Sequence, residues 1–546
     1  MAYKNLYSTN FENVFNDTII IKEFKTIYNQ LNMSISKNLN SNILFNKTYD
    51  AITALDILNS IRIVIEKFLF EQVKAYSKYQ WLWYIRRFPI EKFYTENNLS
   101  TTKPYDKNLA ECVVKIAAKE GSCNFDEASY KIDRYVARHF IRFYCSVQIL
   151  SQIHTYIRYS GKGAKFVFRD YIKIEIKLSE TEINAINLYD RRMVNEENLL
   201  AKLGTYMPFD EIKRAKFYDF FLLVNYLTKE HYVEIEQGKN IKIEYYPSIL
   251  TIAKLKQYLI NFNNLKYNFN ENLYLIICLL FVSHYLFFEM KINFDNILFT
   301  GYYCLKKDFF EKIIDKTFDN ILINVKQEFN IKKLSFNKEN FIEKLLLIKC
   351  SIFPITQGYP IFKEGNSYII DMLAITQMLY SYLYCPKTIQ GNIANYRAET
   401  FENSVAEIIK NSTWNPGENN LRKKIKKDGK EITDLDVVGI KDSTLLIISC
   451  KSRMYTDEYE IGDYNEIRNT KNLVNEAVDY WDKIKQFLID NPVGDNYNYS
   501  SYNNIISVVC TPFPVYTDYN KAISTVENGL YKVCSITELA NWIKNK

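Results

Sequence analysis

Apolar side chains along residues 51–88 recur at intervals of three and four. Ile52, Leu55, Leu58, Ile61, Val64, Ile65 and Phe68 mark one face of an α-helix that Pro89 closes. The same period returns over 108–158 and 196–229, and amphipathic or buried helices are expected across 248–353. Between them, 161–178 reads as strand, because Phe166, Phe168, Ile172, Ile174 and Ile176 fall largely on one parity. Hairpins are expected at 232–246, around Gln237-Gly238, and at 358–371, through Gly365-Asn366, with a helix following to Leu383. Residues 1–49 are polar, Asn-rich and weakly periodic, so at most partial order is expected there.

The longest apolar run, 273–288, is shorter than the roughly 20 residues a spanning helix needs and is interrupted by Ser283 and His284, so it reads as a buried core helix. The segment 386–395, with Pro386 and Gly391, is the best linker candidate. It separates a mostly helical region with small β-hairpins, 1–385, long enough for two domains, from a C-terminal domain, 396–546. The fold class expected is thus α+β and multidomain.

Periodicity in the C-terminal part is sharper. Over 396–410, Phe401, Val405, Ile408 and Ile409 form a helical stripe with Glu402 on its border and Glu407 well away from it. A basic strand, 421–427, turns at Asp428-Gly429 and pairs back on an acidic strand. There Ile432, Asp434, Asp436, Val438 and Ile440 share one face, and Thr433, Leu435 and Val437 the other. The next strand, from Leu445, is aliphatic until Ser449, which implies burial on both faces, and Lys451 emerges at its end. Two carboxylates and a lysine gathered there are costly unless they neutralise one another or bind an ion. Ile467, Thr470, Val474, Ala477, Trp481, Ile484 and Leu488 then mark a long helix, and 505–510 a further strand.

A helix with Glu402, a hairpin with Asp436 and a strand ending in Lys451 resemble the PD-(D/E)XK nuclease superfamily, over about 397–546 only. The resemblance implies a restriction-endonuclease-like α/β domain, a central mixed sheet flanked by helices, with a core of helix, three meandering strands, helix and strand. It implies that Glu402, Asp436 and Lys451 are catalytic. Asp436, the Cys450 backbone carbonyl and Glu402 would hold Mg²⁺ or Mn²⁺, with Asp434 a further candidate ligand. Such an ion keeps several waters and needs few protein oxygens. Lys451 would orient a metal-acidified water or stabilise developing charge. Ser449 departs from the family, standing where Glu or Asp is usual.

The basic strand residues Arg422, Lys423, Lys424, Lys426 and Lys427 are candidates for phosphate contacts, with a solvated face as the alternative. In 78–87, KYQWLWYIRR, aromatics interleaved with cations could stack bases, but core tryptophans with snorkelling arginines are the preferred reading. Arg134, Arg138 and Arg142 share a helix face; His139 and His154 are given no chemistry.

A net charge of +7 is compatible with a polyanionic partner, and 47% hydrophobic residues suffice for large cores. Ten cysteines without a C-x-x-C pair, and no apolar signal core, point to a reducing cytoplasm rather than a zinc or disulfide framework. No phosphate-cradling loop suggests ATP dependence. The expectation is a metal-dependent endonuclease acting on nucleic acid, DNA before RNA, in restriction or defence against mobile DNA. A protein partner or second copy is compatible with the N-terminal region, and no membrane association is expected. The alternative is a catalytically degenerate nuclease fold serving nucleic-acid binding or complex assembly.

Overall fold

The computed structural model describes residues 17–39, 43–87, 104–121, 134–197, 271–289, 297, 300–329, 334–348, 359–384, 392–415, 421–453, 456–526 and 529–545, with shorter pieces at 205–206, 219–224, 231–235, 239–243 and 246–255. It is mixed α+β. No described helix is long and apolar enough to cross a membrane.

The first core gathers helices α1 (Asp17–Asn38), α2 (Ala51–Val73), α3 (Lys78–Arg87), α4 (Pro104–Ala117) and α5 (Arg134–Gly161). Helix α1 lies within residues 1–49, for which at most partial order was expected. Ile20, Ile27, Leu31 and Ile35 are all but fully buried, a helical stripe hidden among Asn and Lys. Residues 1–16 lie outside those described. The stretch 51–88 is two helices, not one, broken at 74–77; Pro89 lies outside the described residues. Its buried face runs through Ile57 and Ile61, which leaves Ile52 exposed. Asp50 caps α2 by accepting the Thr53 N–H at 2.9 Å.

The KYQWLWYIRR tryptophans are core, as preferred: Trp81 is fully buried and its indole N–H donates to the Val73 carbonyl at 2.8 Å. Arg86 does not snorkel. Its side chain is wholly buried, bound to Glu111 and Asp371, with the Lys115 ammonium 2.7 Å from the same Asp371 oxygen. The basic helix face is partly neutralised, since Arg142 pairs with Glu23 at 2.6 Å and Arg138 lies 4.0 Å from it. His154 is buried and pushed down to about 3, so it carries no charge at neutral pH.

The stretch 161–178 folds as two strands, β2 (Lys165–Phe168) and β3 (Ile174–Lys177), joined to β1 (Thr48–Tyr49) in one small sheet. Helix α6 (Glu180–Glu197) precedes the position expected for it, and 219–224, expected to be helical, is strand. It belongs to the three-stranded sheet β4 (Thr205–Tyr206), β8 (Tyr246–Thr251) and β5 (Asp219–Val224). The hairpin β6 (His231–Ile235) and β7 (Lys239–Ile243) forms as expected, its Gln237-Gly238 turn lying outside the described residues. Helix α7 (Glu271–His284) is the apolar run; every residue from Leu273 to His284 is buried. It forms a second core with α8 (Lys307–Glu328), α9 (Lys338–Leu347) and α10 (Met372–Tyr384). The expected hairpin is β10 (Ile361–Glu364) with β11 (Ser367–Asp371), and β9 (Tyr302–Lys306) adds to its edge.

Helix α11 (Asn392–Lys410) begins inside the segment expected to be a linker; residues 385–391 lie outside those described. After it come β12 (Leu421–Lys427), β13 (Lys430–Lys441) and β14 (Thr444–Cys450), then α12 (Asp457–Glu460), α13 (Tyr464–Asp490), β15 (Asn504–Thr511), β16 (Val533–Ser535) and α14 (Ile536–Asn545). The strands form one five-stranded mixed sheet in the order β12-β13-β14-β15-β16. The first three meander antiparallel, and β15 and β16 run parallel to β14. Asp428 and Gly429 both take positive φ, 51° and 73°, the geometry a tight hairpin turn requires.

Leu445 to Cys450 are buried on both faces, as the aliphatic run predicted. On one face Leu445 and Ile447 pack under α13 with Val474, Trp481 and Leu488; on the other Leu446 and Ile448 meet Phe401, Val405 and Ile409 of α11 and Leu539 and Ile543 of α14. The expected α13 stripe is the observed one, from Ile467 to Leu488. Side-chain atoms close the outer edge of β12: Asn496 accepts from Lys426 N–H at 2.8 Å and donates to the Lys424 carbonyl at 2.7 Å.

Candidate functional site

The paired register of β13 and β14 ends with Val437 opposite Ile448. The next two residues, Asp436 and Ser449, are joined through side chains instead. Asp436 Oδ2 accepts the Cys450 backbone N–H at 2.7 Å and the Ser449 hydroxyl at 3.3 Å. Alternation along β13 also breaks here, for Leu435 packs on the α13 side and Val437 on the α11 side. Consequently Asp434 and Asp436 do not sit side by side among apolar residues as expected: Asp434 is exposed, and Asp436 is half-buried.

The Cys450 thiol is the common neighbour of the predicted residues. Burial raises it well above the usual thiol range, the charges of Asp436 and Glu402 add to the rise, and Lys451 opposes it. Glu402 on α11, Asp436 on β13 and Lys451 just past β14 therefore lie within electrostatic reach of one side chain, at one end of the sheet. Asp436 is itself raised by burial; the Cys450 N–H, the Lys451 charge and the Ser449 hydroxyl pull it back, and Asp434 adds to the rise. Lys451 is half-exposed, not buried as expected, and its N–H continues the ladder to the Cys510 carbonyl at 2.9 Å. Glu407 is exposed beside Lys410, as predicted.

Among the described residues no three His, Cys, Asp or Glu side chains are grouped so as to hold a metal ion between them. What the donor set offers is smaller. Asp436 has one oxygen pinned by an N–H, while its Oδ1 makes no hydrogen bond among the described residues. A desolvated carboxylate with one oxygen fixed and one open suits a hard cation that keeps most of its waters. Ser449 is fully buried and its hydroxyl is turned to Asp436.

No family model, curated protein or solved structure matches the chain. The reading of the site thus rests on its residues.

The basic strand is less available than its composition suggests. Lys424 pairs with Glu431 at 3.2 Å, Lys427 bonds Asn491, and Lys423 lies 5.5 Å from the Tyr499 ring centroid. Lys426 is exposed; the Arg422 side chain lies outside those described. One charged pair beside the site was not anticipated. Arg453 donates to Thr470 Oγ1 at 3.0 Å and to Glu466 Oε1 at 2.7 Å, tying the segment after Lys451 to α13. The only trace in the sequence is that Arg453 shares parity with Lys451.

Proposed function

We propose that the C-terminal domain is a restriction-endonuclease-like, metal-dependent endonuclease, acting on DNA in preference to RNA. The observation that carries the reading is the convergence of Glu402, Asp436 and Lys451 on Cys450 where β13 and β14 part. The order α11, three meandering strands, α13, then the parallel β15 supports it, being the order of the resembled core. Asp436, through its open oxygen, would hold Mg²⁺ or Mn²⁺ with the Cys450 carbonyl, Glu402 contributing directly or through water. The ion would polarise a phosphate and acidify water. Lys451 supplies a cation for charge developing on the phosphate, and the Cys450 N–H and Ser449 hydroxyl fix the Asp436 carboxylate. A role in restriction or defence against mobile DNA follows from the resemblance alone.

The test is cleavage of plasmid, single-stranded DNA and RNA with Mg²⁺ or Mn²⁺, using the full chain. Asp436→Ala and Lys451→Ala should each lose about 100-fold or more while staying folded, and Glu402→Ala less. Cutting by both variants at the wild-type rate would remove the site assignment. A second reading, a degenerate nuclease fold that binds nucleic acid or assembles a complex, is favoured by the buried Ser449 in the acidic position. It is the conclusion if the wild type cuts nothing yet retains nucleic-acid binding.

A further inference from the structure

The segment that leaves β14 after Lys451 and Arg453 does not stay within its own domain. Gly462 packs backbone to backbone on the end of α5: a Cβ on Gly161 would lie 2.2 Å from the Gly462 carbonyl oxygen, and one on Gly462 2.7 Å from Arg158 Cα. Gly462 also holds φ +85°, so both the contact and the conformation require glycine there. Beside it the Lys162 ammonium is 3.2 Å from Asp190 and sits 4.5 Å and 5.7 Å from the ring centroids of Tyr189 and Tyr516. Tyr459 accepts the Tyr516 N–H at 3.0 Å. Ala185, Ile186, Tyr189 and Met193 of α6 close an apolar cluster with Tyr459, Ile467 and Tyr516.

At the far edge of the sheet the same helix makes a second, polar attachment. Arg192, almost fully buried, donates to both Glu538 oxygens at 2.8 and 2.7 Å and to the Val533 carbonyl at 2.8 Å, with the Tyr531 ring centroid 4.5 Å away. Glu538 in turn accepts the Ser535 N–H at 2.8 Å.

We propose that α6 and the end of α5 are a positioning clamp for the candidate site, holding residues 456–467 downstream of Lys451 and Arg453 and locking β16. Arg192, Gly161 and Gly462 are positioning residues in this scheme, and none of them touches the reacting atoms. The physical content is that one helix, α6, grips the C-terminal domain at two separated places, the segment after β14 and strand β16, so the end of β14 takes its position from the N-terminal half. The clamp stands whatever chemistry the site performs; only its consequence for cutting rests on the nuclease reading.

Hydrogen–deuterium exchange on the full-length protein tests it. Arg192→Met and Gly161→Ala should each speed exchange in both 456–467 and 533–535, on the order of 100-fold or more, because each removes a buried attachment. Segments 51–73 and 134–150 should keep wild-type protection, and Arg191→Met, at the exposed neighbour, should change nothing. If a variant fails to fold, Arg192→Lys, which keeps the charge and loses the bidentate fork, should give the same pattern at smaller amplitude. Faster exchange confined to α6, or at only one of the two places, would overturn the clamp. In a wild type that cuts, the variants should lower kcat at unchanged KM. A wild type that cuts nothing removes the nuclease reading and leaves the exchange result to decide the clamp alone.

Discussion

Asp371→Asn probes the ion cluster that joins the two N-terminal cores. Four wholly or almost wholly buried side chains form a neutral set: Arg86 and Lys115 against Glu111 and Asp371, with Arg86 also donating to the Thr300 carbonyl at 2.9 Å. Burial alone would raise Asp371, yet the Arg86 guanidinium and the Lys115 ammonium hold it down to about 2. The amide is isosteric and can still accept the Ala374 N–H at 3.1 Å, so the change isolates one charge. It leaves two buried cations facing one carboxylate, for which a loss of about 3–5 kcal/mol is expected, a large share of the roughly 5–15 that holds a domain folded. Urea unfolding of the first transition, followed by tryptophan fluorescence, measures it.

Adding Lys115→Met restores neutrality, so the double variant should be at least about 1 kcal/mol more stable than the sum of the single losses. Acid supplies an independent arm. A folded value below the unfolded one contributes stability that is complete above about pH 4 and disappears as pH falls toward about 2, and Asp371→Asn should lack that component. A loss under about 1 kcal/mol, or strict additivity with Lys115→Met, would refute the reasoning.

Lys162 is buried and lowered from 10.5 to about 8, first by burial and also by Arg158, against the opposing pull of Asp190 and Glu460. Between those values the unfolded chain binds more protons, so stability should rise with pH, by about 2 kcal/mol from roughly pH 7.5 to 9.5; Lys162→Met should flatten that rise in urea titrations. Ser449→Glu would set a second carboxylate against Asp436 in a buried place. Its melting temperature should fall without metal and recover with millimolar Mn²⁺, and a fall that Mn²⁺ leaves unchanged would mean that no cation binds there. Lys426→Ser should flatten the slope of log affinity against log salt on duplex DNA by about 0.9, and Lys424→Ser, whose ammonium is already paired, by clearly less.

Where a pattern is dense and local, the sequence announced the element. The α13 stripe from Ile467 to Leu488, the run at 273–284 and the Asp428-Gly429 turn are each a local pattern with a local cause. Helix α1 was illegible because four isoleucine and leucine anchors are diluted by Asn and Lys, and their burial comes from α2 and α5, far along the chain. The break at 74–77 escaped because periodicity runs through it on both sides. At the site, residue identities and the end of the sheet were readable, but the loss of alternation at Asp436 was not. It arises from two strands parting, which depends on what packs above and below. Arg192 carried no signal at all, since its partners Val533 and Glu538 lie more than 300 residues away.

The two ends of the C-terminal sheet are stopped in the same manner. On β12 the Asn496 side chain stands in for a neighbouring strand, and Asp495 accepts the N–H groups of Asp428 and Gly429 at the turn. On β16 the Val533 carbonyl and the Ser535 N–H face outward, and Arg192 and Glu538 engage them. Groups so engaged are withheld from a strand of another molecule, and exposed edges are how aggregates are seeded. Arg192 is thus also a guard against self-association. Its loss should appear as concentration-dependent aggregation.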